Sequence, residues 1–199
     1  MLVFWDQRLV FLATPKAGST AVESALDPLA SFSMQRPEAM KHLSAADYHA
    51  HLAPLLRLRG GDDFTTVALM REPVSWMQSW YRFRLRDDRD DPDHPMIGRS
   101  FEAFVADYLA DAPPPHAQLG SQSDFLTDGS GQLLVDRLFR YEDIDDFVHF
   151  LEDRLDCIIT LPRVNVPPAV NVGLSDPARD RLRARLQDDL RLYDSIPRV

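Results

Sequence analysis

Residues 14–20, with the sequence TPKAGST, combine the residue types that bind a phosphate or a sulfate group. A glycine lets the main chain approach an anion closely, and the hydroxyls of Ser19 and Thr20 add hydrogen-bond donors. Lys16 supplies a full positive charge. A helix is predicted to begin directly after Gly18, so its unpaired N–H groups and the positive end of its dipole would face the same anion. The segment therefore predicts an anion-binding loop.

Of two other interpretations of this loop, its sequence excludes one and leaves the other open. The ATPase loop needs a glycine, four residues, and then Gly-Lys-Ser or Gly-Lys-Thr, whereas here the lysine precedes the glycine and the first glycine is absent. The loop is therefore not of the ATPase type. An ordinary strand-to-helix turn that Ser19 or Thr20 caps would also fit the sequence.

A second segment, residues 71–81 (REPVSWMQSWY), carries another set of anion-binding groups. Arg71 ends a predicted strand, and Ser79 lies eight positions later within the helix that follows. The planar guanidinium suits a phosphate dianion, so the two side chains can converge on one anion. The alternative is that Arg71 caps main-chain carbonyls and Ser79 is incidental. Two anion sites at neighbouring strand ends indicate a ligand with phosphate groups at two ends.

The elements that position these groups follow from the hydrophobic pattern. Apolar runs rich in β-branched residues predict strands at 9–14, 65–70 and 135–141. Helical spacing predicts helices at 19–29, from Pro73 through Phe83, from Ser100 to Leu109, and at 144–155, with a last helix that Ser175 caps and that runs to Tyr193. Residues 111–131 are predicted to form a long loop. Alternating strands and helices predict one α/β domain over 1–199, with a mainly parallel central sheet flanked by helices.

The composition of the chain limits the classes of partner and the cellular compartment that we expect. The chain has 199 residues and a net charge of −9, which disfavours binding to nucleic acid and to anionic membranes. It carries one cysteine, Cys157, and its first residues do not resemble a signal peptide, so we expect a cytoplasmic protein. The acidic stretch at 87–94 is interpreted as a surface loop, with a bound hard cation as the alternative.

The two anion-binding segments together resemble motifs of the PAPS-dependent sulfotransferase superfamily, especially its Golgi-type and bacterial members, the sulfotransferase family 2-like branch. PAPS is 3′-phosphoadenosine-5′-phosphosulfate. Residues 15–20 are similar to that family's 5′-phosphosulfate loop, and residues 71–81 are similar to its 3′-phosphate motif. Two weaker segments, LFRYEDI at 138–144 and LPRVNV at 161–166, match in the same order.

The resemblance implies a three-layer, P-loop-like α/β fold, with PAPS as the donor and no metal. It implies that the 5′-phosphosulfate is surrounded by Lys16, Ala17, Gly18, Ser19 and Thr20. Arg71 and Ser79 would hold the 3′-phosphate, and Tyr141 would lie near the adenosine. Arg163 and Asn165 would close over the nucleotide. Ala17 departs from the family pattern, where many members have Ser or Thr, and Ser19 precedes Thr20; both changes keep a small residue beside the phosphate.

On this interpretation the protein is an enzyme that moves a sulfuryl group in line to a hydroxyl or amine of a small molecule or carbohydrate, most easily a neutral or cationic one. Lys16 would neutralise the charge that develops on the leaving oxygen. His42 is the favoured general base, with a surface or hydrogen-bonded histidine as the alternative at this position and Glu23 as the reserve candidate. A P-loop-type nucleotide-dependent phosphotransferase and a non-catalytic PAPS-fold binding protein are the competing functions. The acceptor and the oligomeric state cannot be read from the sequence.

Overall fold

The computed structural model of the chain describes residues 1–61, 63–86, 94–164 and 170–198. Asn165, and all of the acidic stretch at 87–94 except His94, lie outside the described residues. None of the described helices is long and apolar enough to cross a membrane.

The centre of the fold is a five-stranded sheet with the strand order β3-β1-β2-β4-β5. Its strands are β1 (Leu2–Phe4), β2 (Leu9–Leu12), β3 (Phe32–Ser33), β4 (Thr65–Met70) and β5 (Arg137–Arg140). Strands β2, β4 and β5 are parallel neighbours, so their carboxyl ends meet at one edge of the sheet. That edge carries the residues that follow Leu12, Met70 and Arg140.

The prediction of a mainly parallel sheet is wrong, because the sheet is mixed. Strand β1 runs antiparallel to both β2 and β3. The physical reason is the connection between β1 and β2, a tight turn over residues 5–8 closed by a hydrogen bond from Arg8 N to Trp5 O. A turn this short can join only antiparallel neighbours, since a parallel pair needs a long crossover.

Helices flank this sheet. They are α1 (Ser19–Leu26), α2 (Glu38–Lys41), α3 (Ala45–Asp47), α4 (Ala53–Gly60), α5 (Pro73–Arg84), α6 (Phe101–Tyr108), α7 (Gln122–Leu126), α8 (Ile144–Leu155), α9 (Asp176–Arg185) and α10 (Gln187–Ser195). Short 3-10 helices occupy Asp27–Leu29, Pro115–Ala117 and Tyr141–Asp143, and a π-helical turn occupies Tyr48–Leu52.

Side chains that alternate along the strands enter two separate clusters of the core. Leu9 and Phe11 pack with residues of α1 and α8. Val10 and Leu12 pack with residues that include Tyr48, Phe125 and Tyr193. A third cluster joins α5, α6 and α9 through buried side chains that include Trp76, Tyr81, Phe104 and Leu182.

Two predictions of secondary structure need correction, one of a helix and one of a loop. The last predicted helix is two helices, which meet at Leu186, and Ser175 does not cap α9 with its side chain because its hydroxyl donates to Glu102 instead. The segment predicted as a long loop at 111–131 contains the 3-10 turn Pro115–Ala117 and the short helix α7. By contrast, the N-cap predicted at Ser100 is confirmed, since its hydroxyl accepts from Ala103 N at 3.1 Å.

Candidate functional site

The loop between β2 and α1 holds two residues in the left-handed conformation. Lys16 has a φ of 63° and Gly18 a φ of 81°. For a residue with a side chain this conformation costs about 1–2 kcal/mol, so the geometry at Lys16 indicates a constrained main chain of the kind found at ligand sites. Gly18 is also the N-cap of α1.

No side chain of the described residues caps α1. The interpretation of residues 14–20 as a turn capped by Ser19 or Thr20 is therefore wrong for this structure. Ser19 is buried and Thr20 is exposed, and neither hydroxyl accepts from the first turn. In that turn Ala21 N donates to Gly18 O at 3.0 Å, whereas the N–H groups of residues 18–20 make no hydrogen bond with the described residues and remain available to a ligand.

Tyr141 covers the loop from the end of β5. A Cβ atom on residue 18 would lie 2.6 Å from Cε2 of the Tyr141 ring, which is closer than two non-bonded carbons approach. Gly18 is thus required twice, by its positive φ and by its contact with Tyr141. The structure thus brings together Gly18 and Tyr141, which are 123 positions apart in the sequence.

Arg71 joins the loops that follow β2 and β4. Its Nη1 donates to the main-chain carbonyl of Lys16 at 3.4 Å, and its Nε donates to Ser75 Oγ at 2.9 Å. The guanidinium carbon lies 4.8 Å from the centre of the Tyr141 ring, a cation–π distance. Arg71 therefore contacts both the anion-binding loop and the Tyr141 ring.

The charge of Arg71 has no direct counter-ion within the described part of the chain. No carboxylate there forms an ion pair with it, and its hydrogen-bond acceptors are a carbonyl and a hydroxyl. Burial lowers the pKa of Arg71, although the guanidinium stays protonated. Glu142 and Glu72 favour the charged form of Arg71 from a longer distance, but neither pairs with the guanidinium, so the position can still accept an external anion.

Ser75 contacts Arg71 where the sequence pointed to Ser79. Ser75 lies four residues after Arg71 and orients its guanidinium, while Glu72 caps α5 by accepting from Ser75 N at 2.7 Å. Ser79 lies one helical turn beyond Ser75 on the same side of α5 and is half-buried. The four-residue spacing of Ser75 and Ser79, which places both on one side of a helix, is the sequence signal that could have identified Ser75.

Lys16 directs its ammonium group toward α5. The Nζ atom lies 3.8 Å from the centre of the Phe83 ring and 5.5 Å from that of Trp80. Trp76, another aromatic residue of α5, donates from Nε1 to the carbonyl of Pro15 at 3.0 Å. The hydrophobic pattern predicts the helix that carries these aromatic residues but gives no signal for the contact of Trp76 with the loop.

His42 lies beside the residue that leads into the loop. Its Nδ1 is 2.5 Å from the carbonyl oxygen of Ala13, and because a carbonyl only accepts, Nδ1 carries the proton. Burial lowers the pKa of His42, which favours the neutral ring. Neutral His42 thus has a lone pair on Nε2, the state that a general base needs.

The reserve base, Glu23, is in a different environment. It is only 2% exposed, and its Oε2 lies 2.8 Å from Lys41 Nζ while its Oε1 lies 3.0 Å from the nitrogen of Met1. Both oxygens are occupied by ionic contacts. This arrangement favours a structural role over proton transfer.

The two remaining predicted residues, Ala17 and Arg163, lie in different surroundings. Ala17 is buried within the loop, beside Lys16 and Gly18. Arg163 is exposed and makes no hydrogen bond with the described residues, and it precedes the undescribed segment that contains Asn165. The structure therefore does not bring Arg163 into contact with the loop.

Two cavities lie away from this loop. One of about 260 Å³ is lined by residues that include Tyr48, Arg57 and Asp136, near the opposite ends of the parallel strands. The other, of about 180 Å³, is lined by residues that include Tyr108, Arg185 and Asp189. The candidate site is thus defined by charge, main-chain geometry and convergent strand ends.

Comparisons with models of protein families, with curated proteins and with solved structures found no match for this chain.

Proposed function

We propose that this protein is a sulfotransferase that transfers a sulfuryl group from PAPS to a hydroxyl or amine of a small-molecule or carbohydrate acceptor. The observation that carries the proposal is the environment of Arg71. Its partly buried cation has no carboxylate partner among the described residues, and it contacts both the loop carbonyl of Lys16 and the ring of Tyr141. A nucleotide with phosphate groups at two ends would supply the missing anion.

Each donor phosphate would meet a different set of groups. The 5′-phosphosulfate would lie at the start of α1, against the N–H groups of residues 18–20 and the charge of Lys16. The 3′-phosphate would accept from Arg71, with the hydroxyls of Ser75 and Ser79 on the same side of α5. This assignment assumes a P-loop-like, three-layer arrangement around the described α/β sheet.

The transfer step would use Lys16 and His42. The bond between sulfur and the 5′-phosphate oxygen breaks while a bond from sulfur to the acceptor oxygen or nitrogen forms. Lys16 would turn from Phe83 to neutralise the leaving oxygen, which its flexible side chain permits. Nε2 of His42 would accept the proton of the acceptor, because Nδ1 is held by Ala13.

The net charge of the protein indicates which charge of acceptor it would favour. A net charge of −9 repels polyanions at long range, so a neutral or cationic acceptor suits the protein better than a sulfated polysaccharide.

The test is thermal unfolding with the desulfated product, 3′,5′-ADP. A ligand present at 100 times its Kd stabilises the folded state by about 2.7 kcal/mol, which corresponds to a rise in Tm of roughly 5–10 °C for a domain of this size. We expect this rise in the wild-type protein and its near loss in Arg71→Ala.

Arg181→Ala is the matched control, because Arg181 is an exposed arginine on α9 and its removal changes the net charge equally. It should keep the full rise in Tm. The proposal would be abandoned if millimolar 3′,5′-ADP left the wild-type Tm unchanged, or if ATP with magnesium gave the larger rise.

A further inference from the structure

Gln122 lies within the fold and holds the main chain of Arg71. It is 1% exposed, and its side-chain amide makes two hydrogen bonds with one residue. The Oε1 atom accepts from Arg71 N at 2.9 Å, and the Nε2 atom donates to Arg71 O at 2.8 Å. A side-chain amide thus pairs with Arg71 as a neighbouring strand would.

This pairing occurs where the sheet can no longer fix Arg71. Strand β4 ends at Met70, whose partner in β5 is Arg140, so the main-chain groups of the next residue lie beyond the ladder. The guanidinium of Arg71 starts from this residue and reaches the loop at Lys16. Because a long side chain amplifies any movement at its Cα atom, the pairing with Gln122 helps to fix where the guanidinium lies, together with its hydrogen bond to Ser75.

Gln122 is itself fixed by a buried carboxylate. Asp189 of α10 is 1% exposed, and it accepts from Ser123 N at 2.8 Å and from Gln122 N at 3.2 Å. These two N–H groups belong to the first turn of α7, where N–H groups have no acceptor within the helix. A continuous set of hydrogen bonds therefore runs from α10 through Gln122 to Arg71.

We infer that Gln122 is a positioning residue for recognition of the 3′-phosphate, an inference that rests on the proposed function. Gln122 does not touch the anion in this role. It places Arg71, and Asp189 supports Gln122. The specific consequence concerns selectivity. Loss of Gln122 weakens the binding of nucleotides that have a 3′-phosphate more than the binding of nucleotides that lack one.

The experiment measures the Kd of 3′,5′-ADP and of 5′-AMP by titration calorimetry, in the wild-type protein and in Gln122→Met. Methionine keeps the size of the side chain and removes both hydrogen bonds. We expect the ratio of the Kd of 5′-AMP to the Kd of 3′,5′-ADP to fall by about tenfold or more, because a charge-assisted hydrogen bond to the 3′-phosphate is weakened. Binding of 5′-AMP should stay within about twofold of the wild type, since it depends on the loop at α1.

Gln118→Met is the matched control, because Gln118 lies in the same segment, is exposed, and donates from its side-chain amide to Pro113 O and not to Arg71. It should leave the ratio unchanged. Asp189→Asn, which keeps the size of the side chain but replaces one acceptor with a donor, should lower the ratio by a smaller factor, and it serves if Gln122→Met fails to fold.

Two outcomes separate this inference from the proposed function. If the wild-type protein binds 3′,5′-ADP no better than 5′-AMP, the proposed function is contradicted. If the wild-type protein prefers 3′,5′-ADP and Gln122→Met, or Asp189→Asn in its place, keeps that preference, only the positioning role of Gln122 is overturned.

Discussion

The residues of the candidate site differ in how far their types reveal their roles. Lys16, Gly18 and Arg71 are informative in sequence, because a lysine, a glycine and an arginine at strand ends indicate anion binding. Gln122 carries no such signal, since a single glutamine in a segment rich in proline and glycine predicts nothing about its partner. Its contact with Arg71 spans 51 positions and emerges only from the packing of α7.

Gly18 provides a test of how tightly the loop is built. Gly18→Ala adds the cost of a left-handed alanine, about 1–2 kcal/mol, to a clash between the new Cβ atom and the Tyr141 ring. Gly131→Ala also places an alanine at a positive φ, 84°, but meets no atom within 4 Å. Urea unfolding should therefore show a larger loss of stability for Gly18→Ala.

Removal of the Tyr141 ring should restore part of that loss. In the Tyr141→Ala background, Gly18→Ala is expected to cost no more than Gly131→Ala does. Equal costs for the two glycines in the wild-type background would show that the ring does not constrain the loop.

His42 predicts a specific dependence of stability on pH. Burial lowers its pKa in the folded state, so below its ordinary value of about 6.5 the unfolded chain binds a proton that the folded protein excludes. Stability from this position is therefore present at neutral pH and is lost as the pH falls. In His42→Gln this loss is absent.

The measurement is the free energy of unfolding at several pH values from about 7.5 to about 5.5, the range around the ordinary pKa of histidine. The stability advantage of the wild-type protein over His42→Gln should shrink toward the acidic end. His51→Gln, at an exposed histidine, gives the comparison. A difference between wild type and His42→Gln that stays constant with pH would refute the assignment of His42 as a buried neutral ring.

At the level of elements, the longer segments were predictable and the short ones were not. Strand β4 was predicted with its observed bounds, and α8 likewise, because both have continuous or periodic apolar residues. Strands β1 and β3 have three and two residues, too few to display a period. The break between α9 and α10 at Leu186 has no glycine or proline to mark it, so the sequence predicts one helix there.

Helix α5 supports the loop, and its tryptophans allow a matched comparison. Trp76→Phe removes the hydrogen bond to Pro15 O, whereas Trp80→Phe removes an N–H that is buried without an acceptor among the described residues. The lost bond is worth about 0.5–1.5 kcal/mol, which corresponds to roughly two- to tenfold faster local opening. Amide hydrogen exchange across residues 13–19 should accelerate in Trp76→Phe.

In Trp80→Phe the same amides should exchange close to the wild-type rate. This local readout separates the hydrogen bond from general loss of packing, which both substitutions share. Equal acceleration in the two variants would contradict a role for Trp76 in holding the loop.

The whole molecule combines an acidic surface with a local basic site. Its net charge of −9 opposes the approach of a nucleotide with two phosphate groups, so under the proposed function affinity would come from a few groups at short range. Those groups converge because β2, β4 and β5 are parallel, although the rest of the sheet is antiparallel. A non-specific electrostatic explanation would not distinguish nucleotides of equal charge, whereas a two-ended site would.

The most direct test of the central claim is therefore titration calorimetry with two isomers, 3′,5′-ADP and 2′,5′-ADP, which carry the same charge. A site with Lys16 and the α1 N–H groups at one end and Arg71 at the other predicts that the 3′,5′ isomer binds at least about tenfold more tightly, equivalent to roughly 1.4 kcal/mol. Equal affinity for the two isomers, or tighter binding of ATP with magnesium than of either, would contradict it.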